Sequence, residues 1–107
     1  MRILCGLTAL AALGATAASA QPGHLTDTAY LQAARCVGLA SSKSLGATDA
    51  KGMTAWLQTE SVGRLPYIID KGDELQAQAK RQADRADEMS KPRLQAELSG
   101  QCASLKG

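Results

Sequence analysis

PYIIDKGDELQAQAKRQADRADEM occupies residues 66–89. No proline interrupts it after Pro66. At helical spacing Ile68, Gly72, Leu75, Ala79, Ala83 and Ala86 share one face, with Ile69 at its edge. Asp73, Glu74, Lys80, Arg81, Asp84, Arg85, Asp87 and Glu88 occupy the remainder. This is the pattern of an amphipathic helix, about six turns long. Its apolar face shrinks from isoleucine and leucine to alanine, so a second helix can approach closely over its second half. The other segments are expected to pack around it.

Working upstream, Gly63-Arg64-Leu65-Pro66 is a break: Gly63 suits a helix C-terminus and Pro66 the first turn of the next helix. The preceding helix is read from about Asp49 to Ser61, capped by Thr48, with Ala50, Met53 and Leu57 inward and Trp56 on the flank. Ser41 to Ala47 is a loop. The first helix starts at a Thr26 or Asp27 cap and ends near Ser41. Tyr30, Ala34 and Val37 form its inner stripe, flanked by Ala29, Ala33, Cys36 and Ala40. Gln32 and Arg35 face away, and Leu31 and Leu39 lie on the other side with no evident core role.

Downstream, Ser90-Lys91-Pro92 stops the long helix, with Ser90 as the cap of the last one. Leu94, Leu98, Cys102 and Leu105 then recur at helical spacing as an inner stripe, with Arg93, Ala96, Ser99 and Gly100 outward. No strand pattern is present. The fold class is therefore all-α, a small antiparallel bundle of about four helices, with a three-helix packing as the alternative. Residues 21–107 are read as a single domain, with residues 21–26 as a flexible tail.

The first twenty residues read as a cleaved signal peptide. Arg2 precedes the apolar run Ile3–Ala15, and Ala18-Ser19-Ala20 offers small residues to a peptidase acting before Gln21. The run is too short to span a bilayer. A secreted or periplasmic location follows as the expectation, with no membrane span after cleavage.

Loss of Cys5 with that segment leaves Cys36 and Cys102, hence one possible intramolecular pairing. An oxidising compartment makes a disulfide the default. The fold needs one: the mature chain has no Phe, one Trp and two Tyr among its large side chains, too thin a core for a domain of this size.

Charge and motifs narrow the function by exclusion. Twelve Lys and Arg stand against ten Asp and Glu, interspersed without a basic stripe, so nucleic acid is not an expected partner. The only histidine, His24, falls in the expected tail, which leaves nucleophilic catalysis without a base. Glu60 and Glu97 lie at the margins of inner stripes and do not form a carboxylate pair. No haem, zinc, P-loop or dinucleotide motif occurs. The chain is thus expected to be neither an enzyme nor a holder of a metal or cofactor.

What remains is apolar side chains without an assigned core role. Leu65-Pro66-Tyr67-Ile68-Ile69 is a run of five, close in sequence to Trp56. Trp56, Leu65, Tyr67 and Ile69 are the candidate binding residues of an apolar patch. Its occupant would be another protein, an unfolded client or a second copy of the chain. The expected function is a non-catalytic protein-interaction or chaperone-like module. A small-molecule carrier with an apolar cavity beside the Gly72–Ala86 face is the alternative.

Overall fold

The computed structural model describes residues 24–46 and 50–106. The expected signal peptide, the start of the expected tail and the expected Thr48 cap lie outside the described residues. The elements in order are α1 (Asp27–Ala40), a 3₁₀ turn (Lys43–Leu45), α2 (Ala50–Ser61), α3 (Pro66–Asp84) and α4 (Lys91–Glu97). The last helix continues through a π-helical turn (Leu98–Cys102) into α5 (Ala103–Lys106). The bundle is all-α, with no strand among the described residues.

The central helix is α1, not the long α3. Tyr30, Ala33, Ala34 and Val37 form one core with Leu57 of α2 and Ile68 of α3. Leu39 joins a second core with Leu45, Ala79, Ala83 and Leu94. Leu39, which periodicity left without a role, is fully buried. The reason is that α1 is covered on several sides, by α2, α3, the 3₁₀ turn and the last helix, so one apolar stripe does not describe it. A helix apolar nearly all round is a buried helix, and Ala33–Ala40 contains only one charged residue, Arg35. Arg35 is held by Glu97, its Nε donating to Oε2 at 2.7 Å and Nη2 to Oε1 at 3.0 Å. That hydrogen bonding raises the Arg35 pKa further.

Helices α1 and α3 run parallel and close together. Tyr30 meets Gly72, Gly38 meets Gln76 and Ala79, and Ser42 meets Asp84. A methyl group at Gly38 would collide with the Gln76 carbonyl and stand 2.8 Å from the Ala79 Cβ. The small residues of α3 therefore admit α1 itself. Helix α2 and the last helix run opposite to α1, so consecutive helices are antiparallel. Cys36 and Cys102 form the expected disulfide, with Cα atoms 5.7 Å apart.

Helix ends follow local chemistry, with two departures from expectation. Thr26 caps α1 as expected, accepting from the Ala29 amide at 3.1 Å. Gly63 adopts φ 85° at the end of α2, a left-handed conformation that glycine takes without a Cβ penalty. The long helix, however, stops at Asp84 rather than Met89. Asp87 accepts from the amides of Met89 at 3.1 Å and Ser90 at 2.8 Å, a side-chain turn that competes with helix. It takes the place at the start of α4 expected of Ser90, whose side chain makes no cap hydrogen bond. The π turn is the second departure. It displaces the last helix from strict α spacing while Leu94 and Cys102 stay buried and Leu98 and Leu105 half-buried.

Candidate functional site

The α2–α3 corner, Val62 to Tyr67, carries three of the four large apolar side chains that the described residues leave exposed. Val62 is 71% exposed, Leu65 61% and Tyr67 63%; the fourth, Met89, lies in the α3–α4 turn. The corner is tight because Gly63 ends α2, the Arg64 amide bonds back to the Ser61 carbonyl at 3.1 Å, and Pro66 starts α3.

Beneath the corner, Arg64 is a buried cation, its side chain only 4% exposed. Its Nε donates to the Glu60 carbonyl at 2.7 Å, Nη1 to Asp27 Oδ1 at 2.7 Å, and Nη2 to the Leu25 carbonyl at 2.6 Å. Nη2 also lies 3.5 Å from Glu60 Oε1, which accepts from the Leu25 amide at 2.8 Å. The guanidinium carbon sits 4.5 Å from the centroid of the Tyr30 ring. Planar, multiply hydrogen-bonded burial of this kind is what arginine supports and lysine does not. Glu60 is 3% exposed, so it is a buried group and not a marginal one. Its carboxylate is engaged by Arg64 and Leu25, with His24 Nδ1 3.7 Å away. Residues 24–26 are tied to this network and to α1 through the Leu25 amide and carbonyl and the Thr26 cap.

The four candidate binding residues differ in burial and setting. Leu65 and Tyr67 share the corner. Trp56 is half-buried and packs against the first core, alongside Met53 and Leu105. Ile69 is half-buried and lines a cleft, on the opposite edge of α3 from Tyr67 by helical geometry. Val62 completes the corner and was not singled out from the sequence. A large apolar residue directly before a helix-ending glycine was the signal available.

The cleft has a volume of about 310 Å³ and lies between α2 and α3, with Tyr30 of α1 in its lining. Thr54, Leu57, Gln58 and Ser61 form the α2 wall; Ile69, Asp73 and Gln76 form the α3 wall. It exists because α2 and α3 each lean on α1 and make little contact with one another among the described residues. Tyr30 is 2% exposed, with its hydroxyl and ring edge against Gly72. Burial, assisted by the nearby Asp73 carboxylate and opposed by Arg64, raises its pKa above the ordinary phenol value. The phenol therefore keeps its proton across the physiological range.

Elsewhere, Asp84 accepts from Ser42 Oγ at 2.6 Å and Lys80 Nζ at 2.9 Å. The Ser42 hydrogen bond first, and then Lys80, hold its pKa below the ordinary carboxylate value. Hydrogen bonds from Ser90, followed by Met89, lower that of Asp87. Both act as local ties between elements. Among the described residues no group of three His, Cys, Asp or Glu side chains is placed to hold a metal ion. No helix among them is long and apolar enough to cross a membrane. No protein-family model, curated protein or solved structure matches the chain.

Proposed function

We propose that the protein is a non-catalytic, chaperone-like interaction module whose α2–α3 corner engages short apolar segments of other chains transiently. The observation that carries this reading is the exposure of Val62, Leu65 and Tyr67 within six residues of a chain otherwise short of large apolar side chains. The buried Arg64 network beneath them holds that corner in place. Preorganised apolar side chains bind with little further loss of freedom.

The size of the corner favours transient contact. Three side chains amount to a patch of a few hundred Å², well below the roughly 1,600 Å² of a standard stable interface. The carrier alternative has less support. The Gly72–Ala86 face that was to border an apolar cavity is taken up by packing: the Tyr30 ring lies against Gly72, and Ala79, Ala83 and Ala86 pack in the second core. The disulfide and the lack of a membrane-crossing helix among the described residues are compatible with the secreted or periplasmic site of action that we propose.

Light scattering from a reporter protein driven to aggregate by heat or reduction tests the reading. The wild-type chain should delay aggregation in proportion to its concentration. The variant carrying Val62→Ser, Leu65→Ser and Tyr67→Ser should lose most of that effect while keeping its helical circular dichroism. Equal protection by both proteins would contradict the assignment.

A further inference from the structure

We infer that the cleft between α2 and α3 is a binding site for a small organic cation, a primary ammonium compound with a short apolar body. This site is separate from the apolar corner. Tyr30 supplies the first observation: its hydroxyl is buried and makes no hydrogen bond to any described residue. Buried tyrosine hydroxyls ordinarily have a partner, and one without a partner among the described residues is open to a ligand group.

The chemistry of the walls specifies that group. The Thr54 hydroxyl proton is directed to the Ala50 carbonyl at 2.8 Å, and that of Ser61 to the Gln58 carbonyl at 2.7 Å. Both oxygens therefore offer only lone pairs to the cleft. Asp73 is the one ionised side chain in the lining and has no ion-pair partner among the described residues. The neighbouring cations are engaged elsewhere: Lys80 with Asp84, Lys71 with Glu74, and Arg64 with Asp27 and Glu60. The cleft thus presents the unbalanced negative charge of Asp73, the lone pairs of Thr54 and Ser61, and the amides of Gln58 and Gln76, which both donate and accept, beside the apolar surfaces of Leu57 and Ile69. A ligand that brings several donors and a positive charge, with a few methylenes behind them, complements it. An anion does not.

Titration with n-butylammonium chloride, followed by NMR, is the test; n-butanol is the uncharged control and potassium chloride the ionic-strength control. The expected result is saturable shifts of the Ser61 and Asp73 amides and the Tyr30 ring with butylammonium alone. Asp73→Asn should weaken binding by roughly tenfold, and Tyr30→Phe by a few-fold, since it removes only the hydroxyl and keeps the ring. Asp73 is exposed, so that variant folds whether or not Tyr30→Phe does. Binding of n-butanol as tight as that of butylammonium, unchanged affinity in Asp73→Asn, or water alone in the cleft at saturating amine would overturn the inference.

Discussion

Arg64 lays its guanidinium across the ring of Tyr30, 4.5 Å from the centroid, and so joins the α2–α3 corner to the central helix. One face of that ring supports the cation under the exposed corner. Its hydroxyl lies against Gly72, and the same residue lines the cleft. Both candidate surfaces depend on the same aromatic side chain.

Arg64→Ala should destabilise the fold by about 3 kcal/mol, because it leaves Glu60 buried without its cationic partner and frees the Leu25 carbonyl. Arg64→Lys should recover only part of this, since an ammonium cannot make the same set of planar contacts. Urea unfolding of the three proteins measures the difference. A loss below about 1 kcal/mol for Arg64→Ala would place the network among ordinary surface pairs.

Glycine substitutions should divide sharply by position. Alanine normally stabilises a helix interior relative to glycine by about 1 kcal/mol. At Gly38 the added methyl collides with the Gln76 backbone, which cannot yield without separating α1 from α3. Gly38→Ala should therefore lower stability by about 2 kcal/mol or more. Gly72→Ala faces the Tyr30 ring at 3.0 Å, and a small ring shift relieves it, so its loss should be smaller. Gly100→Ala enters open space and should be neutral or stabilising. Thermal melts of the three variants give the ranking.

Reduction of Cys36–Cys102 should lower the unfolding midpoint strongly. The bridge closes a loop of 66 residues, for which the chain-entropy model gives roughly 4 kcal/mol. Both cysteines are buried, so the native protein should resist mild reductant and become labile only with denaturant. Intact mass and thiol labelling follow the reaction. Rapid labelling without denaturant would contradict the buried placement.

Acid should weaken the fold through Asp84 and Asp87. Both have folded pKa values below the ordinary 3.8. Their contribution is present above that unfolded value and is lost as pH falls through the depressed folded values. The unfolding midpoint should therefore decline progressively below about pH 4. Asp84→Asn should remove part of the pH dependence by abolishing the charge opposite Lys80. A pH profile identical to wild type would show that the Ser42–Asp84 tie has no linkage to folding.

The helices were legible because their apolar periods and end signals are local. Thr26, Gly63 and Pro66 all act where their chemistry indicates. The disulfide followed from counting cysteines. The central position of α1 was less legible: Leu39 falls off the stripe drawn through Tyr30 and Val37, and only packing on several sides explains its burial. The stop at Asp84 depends on the Asp87 side chain bonding forward, in competition with a pattern that still reads as helix. Of the candidate site, Leu65 and Tyr67 were legible as surplus apolar residues. Trp56, packed against the first core, and Ile69, in the cleft lining, are half-buried because of how α2 and α3 lean on α1. The Arg64 network joins residues 25, 27, 30, 60 and 64 through tertiary contacts, and the Glu60–Arg64 spacing crosses a helix-ending glycine that hides it.

An NMR titration of the isotopically labelled protein with a short, soluble, apolar peptide decides whether the corner binds. Saturable shifts should centre on the amides of Val62, Leu65 and Tyr67, vanish in the triple serine variant and leave the Asp73 region unaffected. Shifts centred elsewhere, or a corner that stays silent while the peptide binds, would contradict the proposed function.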